Sequence, residues 1–295
     1  MTMSLVVGSE GLGVALTRSW LKPLFERTFP HTCIEWNSHL PPDLLIRSHF
    51  FDQEPAYSSV IDLPYICWSG ESYPVPPRSF TDPLLELNTC ATGRPNEVWF
   101  PQLVAEIPQV TRPSSTLSKR WCAAYAFRHR VTERERLFQQ MRLLEPTCYG
   151  FGDSCRTRDN PFEVPIDRRS ENSRTFMEFA FNVAMENKIA PRYITEKIGH
   201  AFNAGSVPIY WGDRAIVEEF FNPATFINVC DFPTPDAAGE LAVQVWKDPH
   251  KLQRYLDAPV TINRTLADYE AVRSEFRPWQ TPIIDCLRET FPDLS

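Results

Sequence analysis

The chain has 295 residues, of which 43% are hydrophobic and 23% are charged, and its formal net charge at pH 7 is −7. This composition is typical of a globular protein, and the length allows one large domain or two of ordinary size. The negative charge argues against a dedicated nucleic-acid-binding protein, which usually carries a clustered positive surface. No apolar run reaches 18 residues and no secretory signal begins the chain, so the sequence predicts a cytoplasmic protein without a transmembrane segment.

The N-terminal part alternates short apolar runs with turns. Residues 14–29 carry apolar side chains at helical spacing, which predicts an amphipathic helix. GSEGLG at 8–13 departs from the Gly-x-Gly-x-x-Gly pattern of dinucleotide sites and predicts a tight turn instead. Strands are predicted at 4–7, 32–36, 43–48, 64–68, 84–87 and 98–100. Strands that alternate with helices favour an α/β domain with a mainly parallel sheet.

The segment 108–119, PQVTRPSSTLSK, has the composition of a linker. It places a domain boundary between residues 115 and 116, giving domains 1–115 and 116–295, with the last helices able to pack back on the first domain. After this segment we predict a loop at 146–174. We also predict strands at 121–127, 179–185 and 206–210, and helices at 132–144, 195–204, 237–258 and 269–291. The near-continuous apolar run 179–185 is typical of a strand buried on both faces of a parallel sheet.

The eight cysteines are scattered and include no Cys-x-x-Cys pair, so we expect reduced thiols and no metal site. The sequence also has no Asp-x-Asp motif of the kind that carries a divalent ion on diphosphate sugars. We therefore expect that the protein requires no cofactor and that a divalent metal is at most stimulatory.

The segment YITEKIGHAFNAG, beginning at Tyr193, predicts a helix that starts at the carboxyl edge of the sheet. Thr195 is expected to cap this helix with its side chain, and Gly205 to end it in a left-handed conformation. Lys197 in the first turn opposes the helix dipole, which would be explained by an anion nearby, and Glu196 could accept bonds from sugar hydroxyls. The residues alone leave two interpretations open: a seat for ribose and diphosphate, or an ordinary solvated helix start.

Four segments stand in the order and at the spacing of a known family. They are FAFNVAMEN (179–187), YITEK (193–197), AFNAGSVPIYWGD (201–213) and NPATFINV (222–229). Together they resemble the donor-binding region of glycosyltransferase family 10, the α-1,3/4-fucosyltransferases. Weaker likenesses extend to ICWSGES (66–72) and to RWCAAYAF followed by ERERLFQQM (120–141). The resemblance implies a GT-B fold, in which two Rossmann-like domains face each other across a cleft.

The resemblance also implies an inverting transfer of L-fucose from GDP-fucose to a hydroxyl group of a glycan. The partners would be a GDP-sugar donor and an oligosaccharide or glycoconjugate acceptor. Glu196 would hold the ribose hydroxyls, Lys197 and Arg134 would bind the diphosphate, and Asn187 and Tyr193 would contact the nucleotide sugar. Without the resemblance, Arg134 could equally be a surface residue that forms a salt bridge on its helix.

On the acceptor side, the resemblance makes Glu71 the general base, and Glu54 is a rival on the same half of the chain. The family usually has Ser where this chain has Lys188, which places an extra cation beside the expected donor pocket. Two alternatives therefore remain: the same scaffold with another nucleotide sugar, or a non-catalytic module that binds nucleotides or carbohydrates.

Overall fold

The computed structural model describes residues 3–10, 14–48, 63–70, 82–103, 110, 112, 119–127, 129–151, 156–161, 176–261 and 280–294. The chain divides into two compact units. The first comprises Met1–Glu106, Ala190–Tyr193 and Arg273–Ser295, and the second Ile107–Ile189 and Ile194–Val272. The predicted boundary between 115 and 116 lies outside the described residues and stays a prediction.

Each unit is built on one parallel sheet, as the alternation of strands and helices predicts. The strands are β1 (Met3–Glu10), β2 (Thr32–Trp36), β3 (Leu44–Ser48), β4 (Tyr65–Ser69), β5 (Leu85–Asn88), β6 (Glu97–Trp99), β7 (Trp121–Ala126), β8 (Cys148–Phe151), β9 (Phe179–Met185), β10 (Val207–Trp211) and β11 (Ile227–Asn228). The helices are α1 (Val14–Thr28), α2 (Thr132–Leu144), α3 (Glu196–Asn203), α4 (Arg214–Phe220), α5 (Pro235–Trp246), α6 (Pro249–Asp257) and α7 (Gln280–Thr290).

The first sheet has the strand order β2-β1-β3-β4-β5-β6, and every neighbouring pair is parallel. Its apolar side chains are buried, among them Val7, Ile46 and Ile66. Helix α1 packs against β2 and β3, and α7 packs against α1. The last helix of the chain therefore contributes to the first unit.

The second sheet has the order β11-β10-β9-β7-β8, again parallel throughout. All seven side chains of β9 are buried, which confirms the prediction from the apolar run. After β7 the chain continues to β8 on one side, and it then crosses to β9 on the other side of β7. The connections that follow β7 and β9 thus leave in opposite directions, and open α/β sheets bind ligands at the carboxyl ends of such a pair.

Some predicted elements differ from the structure, and one is described only in part. Residues 148–151, expected in a loop, form the fully buried strand β8. The single helix expected at 237–258 is divided into α5 and α6, because Asp248 caps a new helix start through the N–H groups of His250 and Lys251. Of the helix expected at 269–291, the structure describes only α7, since residues 262–279 lie outside the described part of the chain.

Among the described residues, no helix combines the length and apolarity that crossing a lipid bilayer requires. No disulfide joins the seven cysteines that the structure describes. Cys122 and Cys148 are both fully buried, and their adjacent strands β7 and β8 place them in one apolar core as thiols.

Two cations that precede β7 donate hydrogen bonds to backbone carbonyls of the second unit. The Lys119 ammonium donates to the carbonyls of Met177 (2.7 Å) and Ala204 (3.3 Å). Arg112 donates to the carbonyls of Tyr255 and Ser206 at 2.9 and 3.2 Å. Burial, and secondly the charge of Arg112, lowers the pKa of Lys119 from 10.5 to about 8.

The depressed pKa of Lys119 predicts that the second unit becomes more stable as the pH rises through about 8 to 10.5. In this window the unfolded chain binds a proton that the folded protein has released, so the free energy of unfolding rises by up to about 1.4 kcal/mol per pH unit. Urea unfolding at a series of pH values measures it. Lys119→Met, which cannot titrate, is expected to lack this increment, and identical slopes for both proteins would contradict the assignment.

Candidate functional site

A buried arginine contacts residues that follow β7 and β9, the two strands whose onward connections leave in opposite directions. Arg134, in the first turn of α2, has no exposed surface, and its Nη2 donates to Oδ1 of Asn187 at 2.6 Å. Its guanidinium carbon lies 3.9 Å from the ring centroid of Phe127, which follows β7. The alternative that Arg134 forms a surface salt bridge is therefore wrong. The structure brings Arg134 and Asn187 together at the carboxyl edge of the second sheet, as their proposed roles require.

A buried carboxylate lies beside this pair. Glu186 directly follows β9 and is fully buried. Its Oε1 accepts the backbone N–H of Thr195 at 2.8 Å, and its Oε2 lies 2.8 Å from the Thr195 hydroxyl and 3.1 Å from Nζ of Lys197. The sequence interpretation did not identify Glu186. The available signal was its position, since it is the first charged residue after seven buried positions, six of them apolar.

Thr195 is the N-cap residue of α3, but its side chain does not cap the helix. Its hydroxyl is engaged by Glu186 and accepts a bond from Lys197, so the predicted side-chain cap is wrong. The first N–H groups of α3 consequently lack a side-chain partner from their own N-cap.

The other end of α3 follows the prediction. Gly205 has a φ of 65°. Its N–H donates to Phe202, and the N–H of Ser206 donates to Ala201. This pair of bonds is a Schellman motif, which favours glycine because a side chain strains the left-handed conformation.

The partly buried ammonium of Lys197 lies close to oxygen atoms of three side chains. Its Nζ lies 2.8 Å from Oγ1 of Thr195, 3.1 Å from Oε2 of Glu186 and 3.9 Å from Oε1 of Glu196. Burial by itself would lower the pKa of Lys197, but the negative charges of Glu186 and then Glu196 outweigh it and raise this pKa above 10.5. The anion that the sequence required near Lys197 is thus supplied by the chain itself.

The remaining predicted residues lie elsewhere. Tyr193 is buried in the first unit, where it packs with Cys90 and Ala190, and its contact with a donor stays a prediction. Glu71 and Glu54 lie outside the described residues. Lys188 follows Asn187 directly and is exposed. In the described part of the chain, no group of three or more His, Cys, Asp or Glu side chains is arranged to hold a metal ion.

The side chains of Tyr210 and Glu186 leave no room for a side chain at position 212. A Cβ there would lie 2.3 Å from the Tyr210 hydroxyl and 3.0 Å from Cγ of Glu186. Gly212→Ala is therefore expected to lower the free energy of unfolding by about 1 to 3 kcal/mol, because such overlaps force buried groups to shift. Chemical denaturation measures this loss.

The double variant Tyr210→Phe/Gly212→Ala is expected to recover part of that stability, since it removes the closest oxygen. Gly93→Ala is the comparison, because Gly93 has a φ of 77° but no atom within 4 Å of the added Cβ. A smaller loss for Gly212→Ala than for Gly93→Ala would contradict the steric explanation.

Comparisons with known proteins agree on one family. Residues 116–272, more than half of the chain, match the model of "Glycosyltransferase family 10 (fucosyltransferase) C-term". The α-(1,3)-fucosyltransferase FucT of Helicobacter pylori is 39% identical over 69 residues, which are 23% of this chain and 14% of that protein. α-(1,3)-Fucosyltransferase B of Drosophila melanogaster is 35% identical over 95 residues, 30% of this chain and 21% of that protein. The matched stretches are thus a small part of these relatives.

Solved structures extend the likeness over nearly the whole chain. A crystal structure of an α1,3-fucosyltransferase with GDP has a TM-score of 0.66 and 16% identity, covering 96% of this chain and 91% of that one. Another, with GDP-fucose, has a TM-score of 0.59 at 16% identity and covers 94% and 91%. At this identity the likeness concerns the fold, and it confirms the predicted GT-B class. The family match includes Arg134, Asn187 and Lys197 but not Glu71.

Proposed function

Because this chain belongs to glycosyltransferase family 10, we propose that it transfers L-fucose from GDP-fucose to a hydroxyl group of a glycan, with inversion at the anomeric carbon. One observation carries the proposal. Two cations, the buried Arg134 and the partly buried Lys197, stand at the carboxyl edge of the second sheet beside a helix start whose N-cap side chain is turned away. Cations at such an edge, beside the start of a helix, are suited to a diphosphate.

In the proposed complex, Lys197 and Arg134 neutralise the diphosphate as it leaves the sugar. Charge stabilisation of this kind is often the largest single contribution to catalysis, and fixed protein cations can provide it without a metal. Glu196 accepts hydrogen bonds from the ribose hydroxyls, and Asn187 and Tyr193 contact the nucleotide sugar. The arrangement supports a metal-independent transfer.

The acceptor hydroxyl needs a base, because its oxygen becomes a good nucleophile only as the proton leaves. We assign this role to Glu71, which follows Gly70 at the carboxyl end of β4. The acceptor is an oligosaccharide or glycoconjugate. Inversion follows if the acceptor oxygen attacks the anomeric carbon from the side opposite the diphosphate.

A panel of nucleotides tests the donor. GDP and GDP-fucose are expected to raise the melting temperature, since a ligand that binds only the folded state at about 100 times its Kd adds about 2.7 kcal/mol. UDP, UDP-galactose and UDP-glucose serve as controls for the base. Transfer to a mixed glycan acceptor pool is followed by mass, and NMR of the product gives the anomeric configuration. Equal stabilisation by guanine and uracil nucleotides would contradict the proposal.

Lys188 favours one alternative, a donor sugar other than fucose, because its exposed ammonium adjoins Asn187. A donor that carries an additional negative charge would pair with it. GDP-mannuronic acid and CMP-sialic acid, whose sugars carry a carboxylate, separate the cases when they are added to the panel. Selective stabilisation by either, lost in Lys188→Ser, would support the alternative donor, whereas GDP binding without any transfer would support a non-catalytic module.

A further inference from the structure

The carboxylate of Glu186 ties the end of β9 to the start of α3. A buried carboxylate is costly unless it is paired and hydrogen-bonded, and Glu186 has no exposed surface. Its bonds come from Thr195 and Lys197, nine and eleven residues further along the chain. Glu186 thus links the first turn of α3 directly to the end of β9.

The same contacts fix the orientation of the Lys197 ammonium group. An ammonium group has three N–H donors. One lies 2.8 Å from the Thr195 hydroxyl oxygen and one 3.1 Å from Glu186, whereas Glu196 at 3.9 Å is beyond hydrogen-bond distance. No other acceptor among the described residues takes the third donor, which leaves it for a ligand oxygen, and the other two fix where it points.

Glu186 also keeps this ammonium charged. The charged groups that act on Lys197 are Glu186 at the end of β9, Glu196 on α3 and Arg134 on α2. Burial and Arg134 oppose the charge, and the two carboxylates favour it. Of the two carboxylates, Glu186 is the one within hydrogen-bond distance.

We propose that Glu186 is the positioning residue of the donor site, which holds the Lys197 ammonium charged and aimed at the diphosphate without contacting the donor itself. This inference rests on the proposed function. A carboxylate beside a phosphate site can have either of two opposite effects on binding: it can position a cation, or it can repel the phosphate. A positioning carboxylate weakens binding when it is removed, whereas a merely repulsive one strengthens it.

The decisive variant is Glu186→Gln, which keeps the shape and removes the charge. GDP affinity, measured by calorimetry, is expected to fall at least about tenfold at pH 7, as for other buried charged pairs that lose one partner. In the variant, Lys197 should lose its proton at a lower pH than in the wild type, so the affinity should fall as the pH rises while the wild-type affinity stays level. Unchanged or tighter GDP binding by the variant would overturn the proposal.

Glu97→Gln is the matched control. Its carboxylate also accepts backbone N–H groups, those of Thr92 and Gly93 at 2.8 and 2.6 Å, but it belongs to the first unit. Glu97→Gln is expected to lower the melting temperature without changing the pH dependence of GDP affinity. The same pH dependence in both variants would mean that general destabilisation, and not Lys197, causes it.

A second readout does not depend on activity. NMR titration of the Lys197 ammonium, assigned by its absence in Lys197→Met, should give a lower pKa in Glu186→Gln than in the wild type. If that variant fails to fold, Glu186→Asp, whose carboxylate is one methylene shorter, should show a smaller decrease. An unchanged titration overturns the positioning role. Failure of the proposed function is seen separately, in a wild-type protein that neither binds GDP nor transfers fucose.

Discussion

Replacing Glu71 with glutamine is expected to lower the turnover number for fucosyl transfer about 10²- to 10⁴-fold, the range for a positioned general base. GDP-fucose affinity should stay unchanged, because the amide keeps the size of the side chain and the proposed diphosphate-binding residues, Arg134 and Lys197, lie in the second unit. Initial rates at saturating donor, together with calorimetric GDP-fucose binding, measure the two quantities. The rate of the wild type should also fall at acid pH as the base becomes protonated.

Glu54→Gln is the paired variant, since Glu54 is the rival base. It is expected to retain nearly the full rate. The opposite result, a slow Glu54→Gln and a fast Glu71→Gln, would transfer the role to Glu54. Full activity of both would remove both carboxylates from the chemistry.

Arg134→Lys is expected to lower GDP affinity at least about tenfold, although the charge is retained. A lysine cannot both donate to Asn187 and stack on Phe127, because these two contacts require a planar, forked group. Since a buried charged hydrogen bond is lost, the free energy of unfolding should also decrease by about 1.5 to 3 kcal/mol. Calorimetry with GDP and urea unfolding measure both effects.

Arg136→Lys is the matched control on the same helix, where Arg136 is half exposed and pairs with Asp236. This substitution should change the free energy of unfolding by no more than about 0.5 kcal/mol.

The double variant Asn187→Ala/Arg134→Lys should lose less free energy of GDP binding than the sum of the losses in the two single variants, since the two residues are in contact. Strict additivity in this cycle would contradict a direct role for the Arg134–Asn187 bond in holding the site.

Elements with strong periodicity or continuous burial could be predicted from the sequence. The near-continuous apolar run at 179–185 coincides with β9, and the helix predicted at 132–144 coincides with α2. Strand β8 could not be predicted, because it has four residues, includes Gly150, and lies in a stretch rich in polar residues. Its burial comes from pairing with β7 and not from its own pattern.

The site was predictable as a set of residue types but not as a network. Thr195 has the residue type and position of a capping threonine, and local chemistry cannot reveal that Glu186 engages its hydroxyl instead. Lys197 suggested an anion by its unfavourable position, yet an external phosphate and an internal carboxylate satisfy that requirement equally. Only the geometry of β9 against α3 decides between them, and the family resemblance identified Arg134, Asn187 and Lys197 without it.

The first unit is assembled from three separate stretches of the chain, and this has a consequence for folding. Its sheet comes from the N-terminal stretch, but Ala190–Tyr193 and Arg273–Ser295 also belong to it. Helix α7 can reach α1 only after the residues between them have been synthesised. Such contacts between distant residues are formed slowly, because closing the loop costs entropy before they stabilise the fold. On the ribosome, the second unit can therefore be complete while the first, although begun earlier, still waits for its last helix.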